Sequence, residues 1–371
     1  MAGLEVRYHL CDLVSGDVLL RNLPLSTSEP IRDTVGQVDS ATFTLNTAHD
    51  NCPANWTELI AAGPRMIVPT VDGDVLGNAY WLDVRTRGTT ATPTLNGKSL
   101  ESLLDRAFVP DLDDNYDDAV IVALLLGSLV TNAGFQPIGV AASGTTHDYL
   151  YQRVEDRKVS NTVGEIRENT QNVEWRTFIR WRDNDLTGVK KYAEVGPSHS
   201  LGNLRPDAIM RLDLDDDGNP VGNIADYLAT DSYQDGDGAT RLVGTDEGTG
   251  ENRLMTPNVD SALIARGWPI IEDRHVFKGL VDPTDDQLLA LTQALRATRE
   301  DGTTRWKLTG NENGPRPGRD FVSGDTVPFF IRPRPPQDPL GGYGYQRVLG
   351  WELDSASKRI SLIAWEDDPN A

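Results

Sequence analysis

Fifty-six acidic side chains are the first place to look for chemistry in this 371-residue chain. Asp213, Asp215, Asp217 and Gly218 (DLDDDGN) match the first half of an EF-hand calcium loop. The match then fails. Pro220 stands where an apolar strand residue belongs, and Ile224 takes the position that needs a bidentate Glu. An Asp-Gly-Asn-Pro turn in a hairpin accounts for the same residues. Asp111, Asp113, Asn115 and Asp117 also recur at every second position, without a glycine for the sharp turn. They read as an acidic loop entering a helix N-terminus, where negative charge is favourable. Asp235 and Asp237 are a weaker signal still. The five histidines (His9, His49, His147, His199 and His275) are scattered, with no HExxH and no paired Cys/His spacing. No G-x-S-x-G elbow occurs, and Ser143-Gly144 and Ser323-Gly324 read as turn dipeptides. Gly341-Gly342-Tyr343-Gly344 lacks the lysine of a phosphate-binding loop. With so many carboxylates, some pair always falls at glycosidase spacing, which reflects their number and signals nothing. No catalytic, cofactor-binding or metal-ligating residue is assigned, no cofactor is expected, and the chain is expected not to be an enzyme.

The bulk composition narrows the class. Hydrophobic residues make up 38% and charged residues 25%, so the chain reads as soluble and somewhat polar. The length suits about two to four domains. Thirty-four Gly and 22 Pro imply many turns and favour a β-rich fold. Eight Trp, spread from Trp56 to Trp365, imply several small cores. A net charge of −21 repels nucleic acid. It serves either plain solubility or a negative wall past which DNA slides. Cys11 and Cys52 make no disulfide framework and read as reduced, small apolar residues. MAGLEVRYHL lacks the basic and apolar regions of a signal peptide, so the chain is expected to fold in the cytoplasm. The longest apolar run, Ala119–Leu126, is too short to cross a bilayer and reads as a buried helix; no stable membrane insertion is expected.

The elements that would position any site follow from periodicity. Residues 1–97 read as a first β-barrel. Leu4–Leu10 and Asp17–Leu23 pair across Ser15-Gly16, and Ser40–Leu45 alternates with Ala41, Phe43 and Leu45 inward. A short helical turn at 57–62 follows, then strands at 65–70, 78–86 and 92–96, with a tight turn at Asp72-Gly73. Residues 98–183 read as an α+β domain. It has short helices at 98–106 and 157–172, and an apolar helix at 117–133 capped by Asp117 or Asp118 and stopped at 132–134. In Arg157–Trp181, Val159, Val163, Ile166 and Thr170 fall on one helical face. Trp175, Thr177, Ile179 and Trp181 then alternate as in a half-buried strand. Residues 184–223 plus 303–371 read as a second β-barrel, with strands at 190–195, 209–214, 304–308, 325–331, 345–353 and 359–365. Residues 224–302 read as an inserted helical or α+β domain: a helical turn at 223–231, a loop or hairpin at 234–252, and a short helix stopped by Trp268-Pro269. Its last element is a helix at 284–299, with a Thr284/Gln287 capping box and a Leu288, Leu291, Leu295 stripe. Pro335–Tyr345 reads as a polyproline-like crossover, or as a contact with a neighbour or ligand.

This order of pieces resembles the baseplate-hub, or minor tail, proteins of phages with long non-contractile tails. The resemblance is carried by FTLNTAHDNCPANWTELIAAGPRMIVPTVDGDVLGNAYW, by TPTLNGKSLESLLDRAFV and by Val159–Trp181. Asp260–Pro269 with the Thr284 helix continues it, and GDTVPFFI with QRVLGWELDSASKRISLIAWED completes it. The preference for Asp and Arg over Glu and Lys resembles phages of actinobacterial hosts. The family implies two tail-tube-like antiparallel β-barrels per chain, each decorated with a small α+β domain. It implies a homotrimer whose six barrels adapt a sixfold tube to threefold symmetry around the DNA channel. The partners implied are the distal tail protein, the tape-measure protein and downstream tail-tip or fibre proteins, at the tail tip of a virion assembled in the host cytoplasm. DNA would pass through without specific binding. The chain ends at Ala371, soon after Trp365, so receptor binding or wall cleavage is expected of other proteins. A hexameric distal tail protein and a host-glycan-binding tip module are the alternatives, with a wall hydrolase in reserve.

Overall fold

The computed structural model describes residues 4–88, 92–170, 173–198, 200–217, 219–233, 238–246, 253–277, 284–300, 303–334 and 341–365. Contacts group Met1–Tyr227 with Leu308–Ile363 as one unit, and Leu228–Lys307 with the residues from Ala364 as a second. This grouping is coarser than the four segments read from the sequence.

The first unit holds one eight-stranded sheet and the greater part of a second. In the first, Val18–Leu20, Val6–Asp12, Arg65–Val71, Tyr80–Thr86, Thr94–Ser99, Ser40–Leu45 and Leu25–Thr27 lie side by side in that order, with Asp74–Val75 added beside Arg65–Val71. The opening hairpin forms as read, turning through Gly16 at φ 75°. Asp72 and Gly73, both at positive φ, make the tight turn that joins Arg65–Val71 to Asp74–Val75. Ala41, Phe43 and Leu45 are buried while Ser40 and Thr42 are exposed, the alternation expected of a strand with one wet face.

Helix Asp118–Ala133 forms the middle of the unit. Asp117 caps it, and Gly134, left-handed at φ 65°, ends it. Ile121, Val122, Leu125, Leu126 and Leu129 are buried among Val159, Val163 and Ile166 of helix Val159–Thr170 and Ile179 of strand Val173–Trp181. Met66 and Val68 of the first sheet, and Ala79 just before strand Tyr80–Thr86, join the same core.

Four expectations are corrected here. Strand Val173–Trp181 is buried on both faces through Ile179, because helices cover one side and charged partners the other. Residues 112–117 form a strand, paired with Thr146–Tyr151, where a loop was expected. The polar alternation that looked like an acidic loop is the wet face of that ribbon. Val189–Pro197, assigned from sequence to the second barrel, pairs along its whole length with Val173–Trp181. The short connection between them makes sequence neighbours sheet neighbours. Ile31–Thr34, unread as a strand, leaves the first sheet and pairs with Gly350–Leu353 of the second.

The second sheet runs Pro220–Gly222, Met210–Leu214, Thr326–Ile331, Gly342–Asp354, Arg359–Trp365, Thr303–Gly310 and Ile224–Ser232. Ile224–Ser232, expected as a helical turn, is therefore a strand. Sheet pairing overrides weak local preference there. The chain passes into and out of the second unit along this strand and Thr303–Gly310.

The second unit has a three-stranded sheet of Val259–Asp260, Arg241–Thr245 and Glu272–Val276. Helix Asp285–Arg299 starts at the Thr284/Gln287 capping box as read. Its buried side is Leu288 and Thr292, whereas Leu291 is exposed. A small residue is needed at that contact, since Thr292 meets Gly244 of the sheet. No helix among the described residues is long and apolar enough to cross a membrane.

Candidate functional site

The structure disperses the residues that the sequence singled out. His9 bonds Thr70 at 3.1 Å and meets Trp181 edge-on, and burial pushes its imidazole down to about 4. His147 sits 2.7 Å from Asp118, and His275 packs on Phe277. His49 closes a local turn with Asn51, and His199 lies outside the described residues. Asp213 pairs with Arg211 and Arg332. Asp215 accepts from Asp217 and Asn219 backbone nitrogens within the hairpin of Met210–Leu214 and Pro220–Gly222, and Gly218 lies outside the described residues. Asp117 accepts from the Ala119, Val120, Ser143 and Gly144 nitrogens, which hold its carboxyl below the usual range despite partial burial. Of the Pro335–Tyr345 segment, 335–340 lie outside the described residues. Tyr343 and Tyr345 belong to strand Gly342–Asp354 and are 85% and 53% exposed. Among the described residues, no three His, Cys, Asp or Glu converge as a metal site.

What does converge is a buried ionic junction that no motif announced. Glu174 and Arg176 lie on strand Val173–Trp181. Arg347 lies on strand Gly342–Asp354, and Asp325 in the turn before Thr326–Ile331. Arg347 Nη2 donates to both oxygens of Glu174, at 2.6 and 2.7 Å, and to the Leu201 carbonyl at 3.1 Å. Glu174 also accepts from Leu201 N at 2.6 Å. Arg176 donates to Glu194 at 3.0 and 2.8 Å and to the Ser323 carbonyl at 2.6 Å. Fully buried Asp325 takes Arg205 Nε at 2.7 Å, Asn203 N at 2.9 Å and Val322 N at 3.1 Å. Charges this deep are tolerated only when paired and hydrogen-bonded, and these are.

Beside this network are the carboxylates of Asp33, Glu101 and Asp39, which have no ion pair among the described residues. Ser323 Oγ donates to Asp33 on the migrating strand, and Thr177 Oγ1 donates to Glu101. Burial, then the neighbouring charge of Glu101, pushes Asp33 up to about 7. Burial also raises Glu101 and Asp39. Elsewhere, burial lowers the Lys191 ammonium to about 8, while its Nζ donates to the Val14 carbonyl. Sequence reasoning missed all of these because a buried Arg or Asp looks like a surface one until its strand is placed. The two-strand alternation around Arg347 carries no mark of burial.

Chemically, the junction fastens. Each ionic group in it is held by another side chain or by backbone. It ties the central helical layer to the second sheet and, through Asp33, to the strand that leaves the first. A second tie lies at the Asp354–Ser357 turn of the closing hairpin. There Ser355 Oγ meets Tyr8 OH at 3.2 Å and Thr27 Oγ1 at 3.3 Å of the first sheet.

Comparison with solved structures bears on what such a body is. A tail protein from Neisseria meningitidis aligns over 97% of this chain and 97% of its own, with TM-score 0.59 and 13% identity. The 43 kDa tail protein of prophage MuSo2 from Shewanella oneidensis aligns over 97% and 98%, with TM-score 0.56 and 10% identity. A prophage tail protein from Listeria monocytogenes aligns over 98% and 95%, with TM-score 0.53 and 9% identity. The chain has the fold of phage tail proteins. No family model matches the sequence, and no curated protein is detectably similar to it. The tail-protein fold therefore emerges from the arrangement of strands, at identities where sequence comparison is silent. The likeness covers nearly the whole of each chain, so the helical layer and the second unit belong to it as well as the sheets.

Proposed function

We propose that this chain is a structural virion protein of the phage tail tip. In this reading it forms a trimeric hub ring that closes the tail tube and adapts sixfold to threefold symmetry around the DNA channel. The observation that carries it is the end-to-end likeness to three tail proteins, together with two eight-stranded sheets in one chain. Two sheets per chain and three chains give six similar walls, the number a sixfold tube presents. The two sheets are then the walls of two tail-tube-like barrels, each decorated by a smaller α+β part. A net charge of −21 suits a wall that DNA passes without adhering. The buried junction suits a subunit that must hold its parts rigid while carrying load, and no catalysis is assigned to it. The neighbours would be the distal tail protein above, the end of the tape-measure protein within, and fibre proteins below.

Antibodies against the chain should label one end of the tail in purified virions. Label along the tail, or none, overturns the tip assignment. A hexameric distal tail protein is the alternative, separated from the hub by copy number.

A further inference from the structure

The outer face of the second sheet is covered over one part and bare over the next. Along strand Gly342–Asp354, Arg347 is buried beneath Glu174 and Leu201, whereas Tyr345 and Tyr343 on the same face are 53% and 85% exposed. Pairing register extends the bare part sideways. Tyr343 is opposite Phe330, Phe330 is beside Arg211, and Asp213, two residues on, is opposite Val221. Phe330, Val221 and Ile209 are 36%, 42% and 40% exposed. The other face of these strands is closed, with Met210, Leu212, Val327, Ile331 and Val348 buried. Two tyrosines this exposed, beside Phe330 in the pairing, mark a face that lacks its cover among the described residues.

We propose that this Tyr343–Tyr345–Phe330 face is where a second copy of the chain packs, continuing the cover that Glu174 and Leu201 begin at Arg347. The proposal rests on the ring reading above and assigns it a contact. Three observations select a protein copy. The bare apolar side chains amount to roughly 400 Å² at ordinary aromatic and aliphatic sizes. That is about half of what one partner buries in a standard interface, and the size of its apolar centre. The composition is that of an interface core, with Tyr and Phe at the centre and guanidinium groups at the rim. The rim triad keeps one positive charge, since the single carboxylate of Asp213 holds both Arg211 and Arg332, and Arg211 also lies over the Phe330 ring at 5.8 Å. A rim that keeps this positive charge attracts a copy of a chain whose net charge is −21.

The test uses the full chain, the double variant Tyr343→Glu with Tyr345→Glu, and the milder Tyr343→Ser with Tyr345→Ser, in sedimentation over a range of concentrations. Both positions are exposed, so thermal midpoints should match wild type. The expected result is self-association of wild type, weakened about a hundredfold in the Glu variant and less in the Ser variant. A photo-crosslinker placed at 343 should also give adducts of twice the chain mass. If wild type associates, and the variants associate equally well without such adducts, this face is overturned and the ring reading stands. If wild type never associates, both fail. In that case, binding of host envelope polysaccharide lost in the Ser variant would assign the face to a glycan instead.

Discussion

Asp33 should make the stability of the first unit fall as pH rises from acid to neutral. Its carboxyl is buried and pushed up to about 7, against an ordinary value of 3.8. Between those two values the folded chain keeps a proton that the unfolded chain has lost. Folding then takes up a proton, and stability declines with pH. The contribution is fully present below about pH 4 and is lost as pH passes through about 7. A full pH unit in the window is worth about 1.4 kcal/mol, so about 4 kcal/mol is at stake overall and about 2 kcal/mol between pH 5 and 7, where the slope is already flattening. Glu101 and Asp39, also raised by burial, act in the same direction. The Ser323 hydroxyl, which donates to Asp33, and after it Arg176 oppose the shift without cancelling it. Asp33→Asn keeps the shape of the protonated acid and cannot ionise. Urea unfolding followed by tryptophan fluorescence from pH 5 to 8 should show a wild-type slope that the variant lacks in large part. Trp351, directly opposite Asp33 and fully buried, lies at the point of change. Carboxylates paired with arginine have the opposite slope and are common to both proteins, so the difference between the two curves isolates Asp33. Parallel curves for wild type and Asp33→Asn would refute the reasoning.

Three further outcomes follow from the geometry. Arg347→Met strands Glu174 in the core and should cost about 3–5 kcal/mol in urea unfolding, with much of the loss recovered in the Arg347→Met, Glu174→Gln double variant. Asp117→Ala removes the acceptor for two backbone nitrogens at the start of helix Asp118–Ala133 and two of the Ser143-Gly144 turn, and should lower stability by about 1–2 kcal/mol, read as a lower thermal midpoint. Gly134→Ala puts a methyl group 2.1 Å from the Val14 carbonyl at a left-handed position. It should destabilise by more than about 1 kcal/mol, whereas Gly144→Ala, with open space around it, should cost less.

What the sequence made legible was local. The Ser40–Leu45 alternation, the Asp72-Gly73 turn, the Asp117 and Gly134 ends of the central helix and the Thr284/Gln287 capping box are each fixed by residues within a few positions. The resemblance to tail proteins was also legible in the order of pieces, and the fold agrees with it. What the sequence hid was long-range. Ile31–Thr34 is an ordinary polar-apolar tetrad, and nothing in it says that its partner is Gly350–Leu353, more than three hundred residues away. Val189–Pro197 looked like a barrel strand because pairing choice is not encoded in periodicity. The ionic junction was invisible for the same reason: Glu174, Arg176, Asp325 and Arg347 become a site only once the strands carrying them are brought together. The converse error is instructive too. The aspartates at 111–117 and 213–217 looked like chemistry, but their carboxylates are spent on caps, turns and ribbon surface.

The most direct test of the central claim is electron cryo-microscopy of intact particles, with the chain located and its copies counted. Three copies in a ring around the channel at the tail tip, each giving two barrel walls, is the expected result. Six copies in a ring above the tip, or no copy in the particle, would contradict the hub.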